Sequence, residues 1–159
     1  MHKLLELLIL VTPYFVGTIP SYFCPMNNAD YVKPIIQPPG WVFGVMWTAL
    51  YFLMGIFLIV NIREGLSKGF DILLKSILLA FTVSLIINSI WVPVFSCWKK
   101  KIMALYILAV YLLVTMMIIV MCLLSSNRST RISSMCLVPL VWWLCCASQL
   151  SLQTITQNK

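Results

Sequence analysis

The sequence predicts an all-α polytopic membrane protein, a five-transmembrane-helix bundle, and three observations carry that expectation. Apolar residues make up 62% of the 159 and charged residues 9%, with a mean hydropathy of +1.00. A soluble domain averages roughly 45–50% and about 25%, so this chain has too little polar surface to cover itself. The apolar residues also gather into five runs, at about 4–23, 41–62, 72–98, 102–124 and 132–152. Each run approaches or exceeds the roughly 20 residues that cross a hydrocarbon core about 30 Å thick. Finally, the connectors are short and hold most of the charge, so residues 1–159 read as one membrane domain.

The first run competes with a signal peptide, since Lys3 precedes an apolar stretch that ends at Cys24. Its length, the close pair of Lys3 and Glu6, and the lack of a small-residue cleavage pattern before Cys24 favour a retained helix. Glu6 lies one turn from Lys3 and is expected to pair there or snorkel. The connector that follows, residues 24–40, is rich in Pro and Asn and is the longest in the chain. A loop of that length in a compact fold suits a lid as well as a plain surface loop.

The second run opens on Pro38, Pro39 and Gly40, and proline is well placed at the first turn of a helix. Gly40 and Gly44 have the spacing that lets two membrane helices approach closely. The third run holds Pro93 late and the fifth holds Pro139 early, and each should bend its helix and open space beside it. The fourth run, apolar from Met116 to Leu124, reads as scaffold.

Catalytic and metal signals are sparse. Of the four acids, Glu6, Asp30, Glu64 and Asp71, no two share a deep helical face, and the single histidine is His2. That leaves no carboxylate relay for a coupled antiporter and no base for a serine triad. Six cysteines, at 24, 97, 122, 136, 145 and 146, invite a metal or disulfide reading. None forms a C-x-x-C pair and most fall inside runs, so they are expected to behave as small hydrophobes, with no metal site. The net charge of +7 resides in the connectors, where it anchors helices at the interface and does not point to nucleic acid. With five spans, one side carries Lys3, Arg63, Lys68, Lys75, Arg128 and Arg131, and the other Lys33, Lys99, Lys100, Lys101 and Lys159. Six against five leaves the orientation open.

The polar and aromatic residues inside the runs are more informative. Asn88, Trp91 and Phe95 share one face of the third helix. Trp47, Tyr51 and Met54 or Gly55 do so on the second, and Trp143, Ala147 and Leu150 or Ser151 on the fifth. A single such stripe is ordinary, because indoles form interfacial belts and an asparagine can join helices. Three stripes on three helices, two with a nearby proline, instead predict a shared apolar pocket with a few polar points.

Several of these residues also carry a resemblance. Lys33-Pro34, Pro38 to Trp41, Trp47 and Leu50 to Gly55 resemble the signature of the TspO/translocator family. These are the tryptophan-rich sensory proteins of bacteria and the mitochondrial peripheral benzodiazepine receptors. Ile87 to Phe95 is similar to that family's third-helix Asn-x-x-Trp-x-Pro-x-Phe pattern, and Val138 to Leu144 to its fifth-helix Pro-x-x-x-Trp. The resemblance implies a five-helix bundle, often a homodimer, in the lipid bilayer of a bacterial cell or, alternatively, of the mitochondrial outer membrane. It implies a tetrapyrrole such as protoporphyrin IX or haem as ligand, with no cofactor required. The pocket would include Trp47, Tyr51, Asn88, Trp91, Phe95, Trp143 and Ala147, roofed by a lid holding Tyr31, Pro38, Pro39, Gly40 and Trp41. The chain would then sense, sequester or pass on porphyrins. An alternative is light-dependent porphyrin degradation through Trp47 and Trp143, and another is a small-molecule exporter unrelated to haem. The sequence departs from the family pattern at Ile36, where a tryptophan is usual, and at Ile107 and Ser151. The tail, Leu150 to Lys159, lacks the tyrosine of the animal sterol motif, which disfavours sterol binding.

Overall fold

The computed structural model describes residues 3–25, 34 and 37–158. Helices α1 (Lys3–Phe23), α2 (Gly40–Lys68), α3 (Ile72–Ser96), α4 (Lys101–Leu124), α5 (Arg128–Ser133) and α6 (Val138–Gln157) follow one another, with a 3-10 turn at Ser134–Leu137. α1 to α4 are each long and apolar enough to cross a membrane, and α5, the turn and α6 together form the fifth crossing. The helices close a ring: α1 packs on α2 and α3, α3 on α4, α4 on α6, and α2 on α5 and the 3-10 turn. The order is not simply sequential, since α1 lies between α2 and α3, and the apolar outer faces of α1 and α4 are left for lipid.

Four sequence expectations are corrected here. α2 runs on to Lys68, because the charges that seemed to end it are paired along the helix. Glu64 Oε1 lies 2.6 Å from Lys68 Nζ one turn on, and Arg63 reaches Glu6 of α1 at 2.6 Å. Glu6 therefore pairs across helices and not with Lys3. The fifth crossing starts at Arg128, four residues earlier than its apolar run, and is broken before Pro139, which opens α6 in its first turn. Finally, Gly40 belongs to α2, and among the described residues no other helix comes within 4 Å of where a Cβ on it or on Gly44 would stand, so the pair seats no neighbouring helix there. Close approach occurs instead at Gly55, whose Cβ would overlap the Leu10 carbonyl oxygen of α1.

The N-terminal end of the bundle is filled. Phe57 and Phe81 meet at 5.0 Å between ring centres, with Met54, Ile77 and Ile118 buried around them. Below them Asn61, fully buried, donates to Phe57 O at 2.8 Å and to Ser133 Oγ at 3.0 Å, while Ser133 Oγ donates to Thr130 O at 2.8 Å. This network supplies polar partners where α5 gives way to the 3-10 turn, as interrupted backbone at membrane depth requires. The link to α3 turns on Gly69 at φ 93°, and Asp71 then caps α3 by accepting from Leu74 N at 2.6 Å.

The expectation that the cysteines act as small hydrophobes fails at two of the six, while Cys122 keeps to it in the apolar core. Cys24, just past α1, is bonded to Cys97, just past α3, across 73 residues of sequence. The remaining four described thiols are free.

Candidate functional site: a cavity walled by α1, α2 and α3

The opposite end of the bundle is hollow. A cavity of about 290 Å³ lies among Tyr14, Gly17, Thr18 and Ser21 of α1, Phe43, Trp47 and Tyr51 of α2, and Asn88 and Trp91 of α3. Its wall is apolar and aromatic, with a few hydroxyls and one amide. That composition suits a small apolar ligand with one or two polar points.

Tyr51 is the centre of the wall. Its ring stacks on Trp47 (5.4 Å between centres, 27° between planes) and meets Tyr14 edge-on at 6.1 Å. Asn88 Nδ2 donates to its hydroxyl at 3.0 Å, with both residues buried. An amide at this depth is costly to leave unpaired, so the bond fixes the two side chains and the α2–α3 register together. The position opposite must be glycine. A Cβ at Gly17 would fall inside the Tyr51 phenol, so the tyrosine reaches α1 only because that residue has no side chain.

The predicted site residues divide into two groups. Trp47, Tyr51, Asn88 and Trp91 line the cavity. Phe95 stacks behind Trp91 at 5.4 Å and 18°. Trp143 packs edge-on to Trp47 at 6.5 Å and to Phe43 at 5.6 Å, so α6 buttresses the wall and does not form it. Ala147, half-buried, belongs to the same apolar core. The indole nitrogens of Trp91 and Trp143 are buried without a hydrogen-bond partner among the described residues. Trp41 opens α2 pointing outward, 71% exposed. Pro38 and Pro39 precede it, and Tyr31 lies outside the described residues.

Sequence reasoning missed the α1 wall entirely, together with Phe43 and Thr48 of α2. α1 carries one aromatic at the site, Tyr14, and its contribution otherwise consists of Gly17, Thr18 and Ser21. Small residues at i+3, i+4 and i+7 from Tyr14 were the available signal, since all four positions share one face. Among the described residues no three His, Cys, Asp or Glu side chains converge on a metal position.

The chain matches the TspO/MBR family over residues 9–156. It is similar to the tryptophan-rich protein TspO of Chlorobaculum tepidum, 29% identical over 147 residues that cover 90% of this chain and 89% of that one. It is 35% identical to a tryptophan-rich sensory protein of Cereibacter sphaeroides over 79 residues, 49% of this chain and 45% of that protein's length. A tryptophan-rich protein TspO of Archaeoglobus fulgidus matches at 39% over 54 residues, 31% of this chain and 35% of the relative.

Proposed function

Since this chain belongs to the TspO/MBR family and is an integral membrane protein, we propose that it binds a tetrapyrrole of the protoporphyrin type in the α1–α2–α3 cavity, as a sensor, sequestering protein or carrier. The observation that carries this reading is the continuous aromatic surface of Trp47 stacked on Tyr51 and backed by Trp143, facing a void. Broad π-faces suit a planar ring, and they hold it through stacking and area without needing a metal ligand. The Asn88–Tyr51 pair supplies one polar contact, and the Trp91 indole N–H supplies a donor with no other partner among the described residues.

The cavity volume bears on how the ligand enters. About 290 Å³ is at the lower edge of the roughly 300–1,000 Å³ of ligand pockets. A macrocycle therefore needs the α1 wall to move outward, and α1 is the least buried helix, with only Pro13 and Gly17 enclosed. The test is titration of the purified protein with protoporphyrin IX, read by quenching of tryptophan emission. Replacing Trp47 and Trp143 together by Phe should weaken binding by about ten-fold, given roughly 0.5–1.5 kcal/mol per aromatic contact. Unchanged affinity would remove the cavity from the account.

A second reading, photo-oxidative consumption of the porphyrin with dioxygen as oxidant, draws on the same Trp47–Tyr51 stack, since both rings are oxidisable. Bleaching of bound protoporphyrin under illumination in air, lost in Trp47→Phe, separates it from binding alone.

A further inference from the structure

α1 is held like a strap. At its N-terminal end Glu6 pairs with Arg63 of α2, an exposed ion pair of the weak kind. At its other end the Cys24–Cys97 bond joins it to α3, and beside that bond Ser96 Oγ donates to Pro25 O at 2.7 Å. Between the two ties α1 buries only Pro13 and Gly17, yet this stretch supplies Tyr14, Gly17, Thr18 and Ser21 to the cavity wall. Ser21 is one turn before Cys24, and Trp91 is six residues before Cys97. The bond therefore closes the seam between two of the three cavity walls, at the rim. Cys97 is exposed and Cys24 half-buried, and Lys99, Lys100 and Lys101 follow directly, which puts the pair at the polar edge of the span.

We propose that the Cys24–Cys97 pair is a redox latch on the α1–α3 seam of the cavity. It is closed by a disulfide carrier on the extracytoplasmic side of the membrane and opened by a dithiol. In closing, one cysteine thiolate attacks the carrier's S–S bond and expels one carrier thiol. The second thiolate then displaces the other carrier sulfur. The two cysteines lose two protons and two electrons, and the carrier disulfide leaves as two thiols. Such bonds persist in oxidising compartments and are rare where glutathione keeps thiols reduced. The latch therefore sets the orientation that the even charge distribution left open: the α1–α2 and α3–α4 links face outward and the N-terminus faces the cytoplasm.

The proposal rests on the porphyrin reading in one arm of its test only. Membranes are first treated with an alkylating agent to trap free thiols, and the pair is mapped by mass spectrometry. Hydrogen exchange of the purified protein is then followed with the bond intact, reduced by a phosphine, and replaced in Cys24→Ser/Cys97→Ser. Residues 14–21 should exchange about ten-fold faster in both open forms, with α4 unchanged. Protoporphyrin should dissociate faster to a similar degree. After reduction of intact cells, a membrane-impermeant maleimide should label both cysteines. Two trapped free thiols in fresh membranes, labelling only after lysis, or exchange in α1 indifferent to reduction would each overturn the proposal. Absence of porphyrin binding in every form would defeat the ligand reading, while the exchange result still decides the latch.

Discussion

Gly17→Ala tests the geometry on which the cavity depends. A methyl group there would overlap the Tyr51 phenol carbon and oxygen, far inside van der Waals contact. The ring is fixed on three sides, by Asn88 at 3.0 Å, by the Trp47 stack and by the edge of Tyr14. To make room, Tyr51 must leave Asn88 and tilt off Trp47. Losing a neutral hydrogen bond costs about 0.5–1.5 kcal/mol, and losing a stacked pair about the same. The two together come to about 2 kcal/mol, within the roughly 1–3 kcal/mol seen when a packed interior is overfilled. The alternative, moving α1 outward, gives up the Tyr14 edge contact and the seating of Gly55 on the Leu10 carbonyl, so about 2 kcal/mol is the upper figure for the loss. Unfolding of the detergent-solubilised protein, followed by tryptophan emission, should register that loss. The second half of the experiment is Gly17→Ala/Tyr51→Leu, in which the overlap is gone. It should be more stable than the sum of the single changes by at least about 0.5 kcal/mol, the usual limit of additivity for unrelated sites. If Gly17→Ala unfolds with the wild type, or if the double variant is simply additive, Tyr51 does not occupy the space against α1.

Two further outcomes follow from the filled end of the bundle. Asn61→Ala removes the donor shared by Phe57 O and Ser133 Oγ and should cost about 1–3 kcal/mol, whereas Asn61→Leu with Ser133→Ala should recover part of the loss; denaturant unfolding distinguishes the two. Asp71→Ala deletes the α3 cap and should destabilise by about 1 kcal/mol, while Asp71→Ser should be nearly neutral, as read by thermal unfolding in detergent.

The crossings were legible because membrane burial leaves its mark in composition, which a single sequence displays in full. Helix ends were not, because hydropathy counts Arg63, Glu64 and Lys68 as stops while the structure pairs two of them along α2 and the third across to α1. The site was half legible. Large residues at helical spacing, Trp47 with Tyr51 and Asn88 with Trp91, revealed the α2 and α3 walls. The α1 wall stayed hidden because its contribution is the absence of side chains, at Gly17, which no aromatic count detects. Trp143 was legible as a site residue only in part, since period alone does not separate a cavity wall from the layer behind it. The disulfide joins residues 73 apart, and pairing at that range is tertiary information. The apolar run 72–98 takes in Cys97, and only the end of α3 at Ser96 places that residue outside the helix and beside Cys24.

The division of the bundle into a solid half and a hollow half constrains how anything reaches the cavity. Toward the N-terminal end the path is closed by Met54, Phe57, Ile77 and Phe81, all essentially without exposed surface, and then by the Asn61–Ser133 network. Opening that path would separate rings in contact at 5.0 Å and strand buried polar groups, each at a cost of kcal/mol. On the α4 side, Leu108 and Tyr111 are equally enclosed. The wall that can move at small cost is α1, which encloses two residues and is tied at its ends. A ligand of the proposed kind would on this argument enter and leave through that seam, at whose rim the proposed latch lies.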